Sequence, residues 1–191
     1  MKYFNFSILF ILVFGCNYEQ GISINKIDNI FKDGKSFFMN NNEKYTGRIY
    51  NKSANNKLLL DFRTLNGLYD GHYKEFYENG VLKKECFYNN GVMQGVERRF
   101  FENGRLLESV NYNSGNFNGV RNVYWENGML KEVNNFYNGI LTGETTYFYS
   151  NGKIRKTIKF DSSGRKNGVW KDYNSSGELI KQIIYENGKL K

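Results

Sequence analysis

The side chains of this 191-residue chain that could carry chemistry are few: one histidine, two cysteines and a recurring row of glutamates. A transition-metal site at His72 would need a second histidine or a cysteine pair beside it, and the sequence supplies neither. Serine-histidine-aspartate chemistry would rest on that same histidine. Its position is filled by Val96, Val120 and Val169 in later units of the chain. Glu78, Glu102 and Glu126 recur 24 residues apart beside turn residues, the rhythm of a repeat and not of a paired-carboxylate site. Cys86 stands where equivalent strands carry Val110, Ile158 and Ile183, so it reads as a small apolar residue. The expectation is no enzyme, no metal and no cofactor.

Cys16 belongs to different chemistry. Lys2 supplies a positive start, and Phe4 to Phe14 is apolar apart from Asn5 and Ser7. That run is too short for a bilayer core, which needs about 20 apolar residues, so residues 1–15 read as a signal peptide. The junction Leu12-Val13-Phe14-Gly15-Cys16 resembles the bacterial lipobox, in which a small residue precedes the cysteine that receives a diacylglyceryl group before cleavage. The resemblance implies that Cys16 is the lipidation site and the first residue of the mature chain. Several acyl chains on one residue anchor stably where a single chain does not. Residues 16–44 are then expected to be the lipidated N-terminus, a tether and an entry strand. Within them, Asn17 to Asn29 reads as a flexible linker or a short helix, and Asn40-Asn41-Asn42 as a turn or loop.

What positions everything else is a repeat. Gly47, Gly71, Gly95, Gly119, Gly143 and Gly168 form one column, and Gly80, Gly104, Gly128, Gly152 and Gly177 a second. Gly67, Gly91, Gly115, Gly139, Gly164 and Gly188 form a third. Each step is 24 residues, except for one extra residue in Asp161-Ser162-Ser163-Gly164. Between the glycines the runs alternate apolar and polar, as in Ser109-Val110-Asn111-Tyr112, which is the period of a half-buried strand. The spacing predicts an all-β fold: about six 24-residue β-hairpins over residues 45–191, in one elongated, twisted antiparallel sheet.

Turn type decides which residues share a face. A two-residue Asn79-Gly80 turn sets Glu75 opposite Lys84, Arg99 opposite Glu108 and Asp172 opposite Lys181. A three-residue loop with glycine in a bulge brings Phe76 onto the face of Leu82 and Tyr88 instead. Exposed cross-strand charge pairs contribute roughly 0.2–1 kcal/mol, whereas burying a large apolar side chain contributes about 1.5–3. Ser175-Ser176-Gly177 also suits a type I turn. The bulged loop is the expectation. It predicts one face striped with Phe76, Leu82, Tyr88 and their equivalents. The other face would carry Tyr77, Phe101, Trp125 and Tyr149 as a row of candidate binding residues.

The unit Gly71-His72-Tyr73-Lys74-Glu75-Phe76-Tyr77-Glu78-Asn79-Gly80-Val81-Leu82-Lys83 leads into Tyr88-Asn89-Asn90-Gly91-Val92-Met93-Gln94-Gly95. It resembles the bacterial variant of the MORN repeat. Proteins with such arrays include those labelled YwqK-like antitoxins, proposed neutralising partners of secreted toxins. The resemblance covers residues 45 to 191 and implies a fold and a binding role, with no catalytic residues to carry over. The first unit departs from the pattern, with Asn55-Asn56 for Asn-Gly and Thr64 for the aromatic, as a capping repeat does.

Charge completes the reading. Loss of Lys2 with the leader leaves 26 basic against 19 acidic residues, a net +7, scattered rather than clustered. That distribution fits a solvated sheet face on an exported chain and no nucleic-acid partner. The functional expectation is a lipid-anchored bacterial envelope protein that binds a protein partner, a toxin among the candidates. The alternative is a surface module for structural duty or for cell-wall glycan.

Overall fold

The computed structural model describes residues 21–191, so the leader and Cys16 lie outside the described residues. Among the described residues, thirteen strands of a 14-stranded sheet run in unbroken chain order from Gly47–Lys52 to Lys189–Leu190. Ile22–Ser23 is added in parallel on the first edge. All other pairings in that sheet are antiparallel hairpins, as the repeat spacing predicts. The chain has no proline, so no strand loses a ladder donor to one.

Two turns alternate. At Asn79-Gly80 the Gly80 N–H donates to the Tyr77 carbonyl (2.8 Å) and the Tyr77 N–H to the Val81 carbonyl (2.9 Å). Only Gly80 has positive φ, +88°, which makes this a type I turn closed by a glycine bulge. At Asn90-Gly91 both residues have positive φ, the two-residue type I′ turn. The extra residue is absorbed by converting one type I′ turn into the three-residue loop Ser162-Ser163-Gly164. Asp161 closes it: its carboxylate accepts the N–H of Arg165 (3.0 Å) and of Ser163 (2.8 Å). Those backbone donors, with the Arg165 guanidinium, hold the Asp161 carboxyl below its usual range.

The bulged loop satisfies both criteria that the sequence sets against each other. Phe76 pairs with Leu82, and the register then slips by one residue so that Glu75 pairs with Lys84. Lys83 is the extra residue. Because this second bulge changes the parity, the expected stripe does not share a face. Phe76 and Leu82 lie on one side, whereas Tyr88 lies with Tyr73 and Glu75 on the other.

The first glycine column sits inside strands, directly opposite the aromatic column: Gly71 faces Tyr88, Gly95 faces Tyr112 and Gly119 faces Phe136. All three have positive φ (94°, 73° and 99°), which favours glycine, and a Cβ there would lie more than 4 Å from the facing ring.

Residues 21–44 are ordered, not a linker or a helix. Ile24–Lys26 is a single 3₁₀ turn, and Asp28–Lys32, Lys35–Asn40 and Glu43–Lys44 form a separate three-stranded sheet. This sheet caps the first repeat. Phe38 is buried against Ile49 and Phe62, with Ile22, Ile24, Ile27 and Tyr45 around it. Its ring lies 5.0 Å from Phe62 and 4.8 Å from Tyr69. Phe38 thus packs among the rings of the first unit, where Thr64 replaces the aromatic. Thr64 Oγ1 donates to the Tyr45 carbonyl (3.0 Å).

Gly128 has φ +90° and nothing within 4 Å of where a Cβ would lie. Gly128→Val therefore tests conformation without steric clash, because a β-branched residue resists positive φ. It is expected to destabilise the array by about 1–3 kcal/mol in urea unfolding. An unchanged midpoint would refute the turn assignment.

Candidate functional site

Most buried side chains of the array lie in one column on one face, hereafter the inner face, with Thr64 and Val123 buried beside it. Pairing sets Ile49 opposite Phe62, Tyr73 opposite Cys86, Glu97 opposite Val110, Arg121 opposite Asn134 and Thr145 opposite Ile158. Along the chain the column advances by 13 and 11 residues in turn. Half its middle members are polar, yet Glu97 is 2% exposed and Thr145 0%. Sequence reading missed this column because the bulge shifts its spacing off a single period. The alternation of 13 and 11 was the available signal.

The polar members are linked. Lys84 Nζ lies 3.4 Å from Glu97 Oε2, and Arg99 Nε donates to Glu97 Oε1 at 2.6 Å. Arg99 also lies 3.7 Å from Glu108, and the Arg121 guanidinium donates to that same Glu108. Arg121 Nη1 reaches Asn134 Oδ1 (3.0 Å) and Glu132 (3.5 Å), and Asn134 Nδ2 donates to Thr145 Oγ1 (3.2 Å). The ladder crosses six consecutive strands. Glu97 Oε2 has no hydrogen-bond partner, only the charge of Lys84. The cations' half-exposed side chains keep water contact while the carboxylate is buried, which limits the desolvation cost of the pairs.

The predicted binding row occupies the edge carrying the three-residue loops. By strand alternation Tyr77 returns to the inner side, not the side opposite Tyr88 as expected. There it lines a shallow hollow of about 340 Å³ with Glu75, Lys84, Arg99 and Phe100. All four rings are half-buried. Tyr77 donates its hydroxyl to the Phe100 carbonyl (2.8 Å), Trp125 its Nε1–H to Phe148 (3.3 Å) and Tyr149 its hydroxyl to Tyr173 (2.8 Å). Each bond ties one repeat to the next. Asn79 Nδ2 adds a parallel tie to the Glu102 carbonyl (3.0 Å), while its Oδ1 accepts the Val81 N–H. Phe101 has no polar handle. Lys83 and Lys131 lie over the Tyr77 and Trp125 rings at 5.7 and 4.6 Å. The row is a set of rigid staples with cations beside them.

His72 lies on the outer face, edge-on to Phe87 at 5.3 Å. Among the described residues, no group of three or more His, Cys, Asp or Glu side chains is placed to hold a metal.

Titration reports the inner face. Burial pushes the Cys86 thiol from 9.0 to about 11, and burial, with the Glu97 charge, pushes Tyr112 from 10.0 to about 12. Tyr73 and Tyr88 are also raised, mainly by burial. A group raised in the folded state ionises first in the unfolded chain, so its contribution is whole below about pH 9 and is lost as pH rises toward 12. The urea midpoint is therefore expected to fall between pH 9 and 11, with tyrosinate absorbance rising at the same step. An equal midpoint at pH 8 and pH 11 would contradict the buried column.

Four segments, residues 69–90, 93–114, 141–162 and 166–187, match the family model described as MORN repeat variant. Each match spans one hairpin with its three-residue loop. Residues 117–138 form the same hairpin in the structure but lie between the matches. No curated protein matches the chain. Over these four hairpins the chain is similar to MORN-variant repeat proteins, the family that its 24-residue spacing resembles.

Proposed function

We propose that this chain is a non-enzymatic binding protein of a bacterial envelope. It is held to a membrane by lipid on Cys16, and its staple edge docks a protein partner in the manner of an antitoxin or immunity protein. The observation that carries the binding reading is the row Tyr77, Phe101, Trp125 and Tyr149, repeated at roughly 10 Å intervals along one edge. Three of the rings are fixed by their own hydrogen bonds. Rings already held in place lose little conformational freedom on binding, and rigid aromatics beside cations are typical anchors of interfaces. Their polar handles are engaged within the fold, and Lys83 and Lys131 cover ring faces. Ring edges and ammonium groups are what remain, which suits an acidic protein surface better than stacked sugar rings. An exported chain would meet that partner outside the cytoplasm.

A photo-crosslinker at Phe101 in intact cells tests this. A discrete protein adduct is expected, reduced about tenfold or more by the double change Lys83→Glu with Lys131→Glu, as buried interfacial charge reversals are. Lys74→Glu, on the outer face, should leave the adduct unchanged. An adduct indifferent to the edge reversal, or none, would count against the staple edge.

A further inference from the structure

The cap has a face that the array does not use. Pairing of Ile30 with Phe37, Asp28 with Met39 and Met39 with Lys44 places these side chains together on the side away from Phe38. Ile30, Phe37 and Met39 line a hollow of about 300 Å³ with Lys32, Asp33 and Lys44, and the Lys44 ammonium lies 4.3 Å over the Phe37 ring. At the hairpin's end Ile30 is 46% exposed on this face, and Phe31, paired with Ser36 on the other face beside the turn, is 75% exposed. Lys32 and Lys35, both exposed, flank the tip. Apolar residues at a tip with lysine stems around them match the boundary between lipid headgroups and acyl chains. There the rings enter and the ammonium groups reach outward.

The covalent path gives the same direction. Five residue steps separate Cys16 from Gly21, a span of at most about 18 Å when fully extended. Ile22 and Ile24 pack in the same cluster as Phe38, so the cap and the start of the described chain occupy one end of the array. A lipid on Cys16 would therefore bring this end, and no other, to the bilayer.

We infer that the cap hairpin Asp28–Asn40 is a second membrane contact that enters an anionic bilayer surface by its tip, seating Ile30 and Phe37 of one face and Phe31 of the other, and orients the array away from the membrane. The inference rests on the lipid-anchor reading of Cys16. Asp28 and Asp33 offset two of the three lysines on this surface, so the contact is weak alone and works only beside the tether. A defined orientation would hold the staple edge clear of the membrane for its partner.

The test uses the full chain, acylated and reconstituted in vesicles of phosphatidylglycerol and phosphatidylcholine. A fluorophore is placed at Lys35→Cys or, at the far end, at Glu178→Cys; Cys86 is buried and Cys16 is blocked by its lipid. Lipids spin-labelled near the headgroup should quench the Lys35→Cys probe at least twofold more than the Glu178→Cys probe. Adding Ile30→Ser and Phe31→Ser, both at exposed positions, should cut the quenching at Lys35→Cys at least twofold, and unchanged quenching there would overturn the cap contact. Chain that floats with the vesicles but shows equal quenching at both positions would overturn the cap contact and leave the anchor standing. Chain that does not float, and behaves like Cys16→Ser, would overturn the anchor and this inference with it.

Discussion

A sheet with one layer has nothing to bury its face against except itself, and most features of this protein answer that constraint. In a sandwich or a doubly wound fold, a second layer would cover the inner face. Here each buried residue is covered by its neighbours one and two strands away. The bulges that follow the three-residue loops strengthen the local twist and bend. The glycines opposite Tyr88, Tyr112 and Phe136 supply the positive φ that the strands take there. Among the described residues another element helps at the first repeat, where Phe38 of the cap completes an aromatic cluster.

The polar middle of the column arises from the same limit. A fully apolar stripe on a one-layer sheet would leave a long exposed hydrophobic strip, a template for aggregation. From Glu97 to Thr145 the column instead carries a carboxylate, a guanidinium, an amide and a hydroxyl, linked across the strands with the help of Lys84, Arg99 and Glu108. Breaking one member leaves a buried group without its partner, which makes the network specify register as well as contribute stability. The outer face carries scattered apolar residues such as Phe87 and Val120 among charges. On the proposed reading, partner contact falls to the loop edge, where rings are fixed, and membrane contact to the cap.

The hairpins, their number and the three-residue loops were legible in the sequence, because glycine and asparagine report positive φ directly. The inner column was not. Glu97, Arg121, Asn134 and Thr145 are polar types that read as surface residues, and the slip at Lys83 separates their face from that of Phe76 and Leu82. The same slip moves Tyr88 off the face of Phe76 and Leu82, while Tyr77 lies opposite those two. The cap was hidden differently: Ile22, Ile24 and Ile27 show no period because they pack against another segment, not along their own. Thr64 and Asn56 read as departures from the repeat, yet Asn56 takes the glycine's positive φ (60°) and Thr64 bonds the Tyr45 carbonyl.

The central claim is that the inner-face ladder couples repeats into one cooperative array. Arg121 joins three strands and lies three strands from Cys86, whose buried thiol resists modification. The most direct measurement is the rate at which iodoacetamide modifies Cys86, followed by peptide mass spectrometry, in wild type and in Arg121→Ala. Nearest-neighbour coupling predicts that the variant exposes Cys86 about threefold or more faster. An unchanged rate at Cys86, with Arg121→Ala destabilising only its own hairpin, would contradict it.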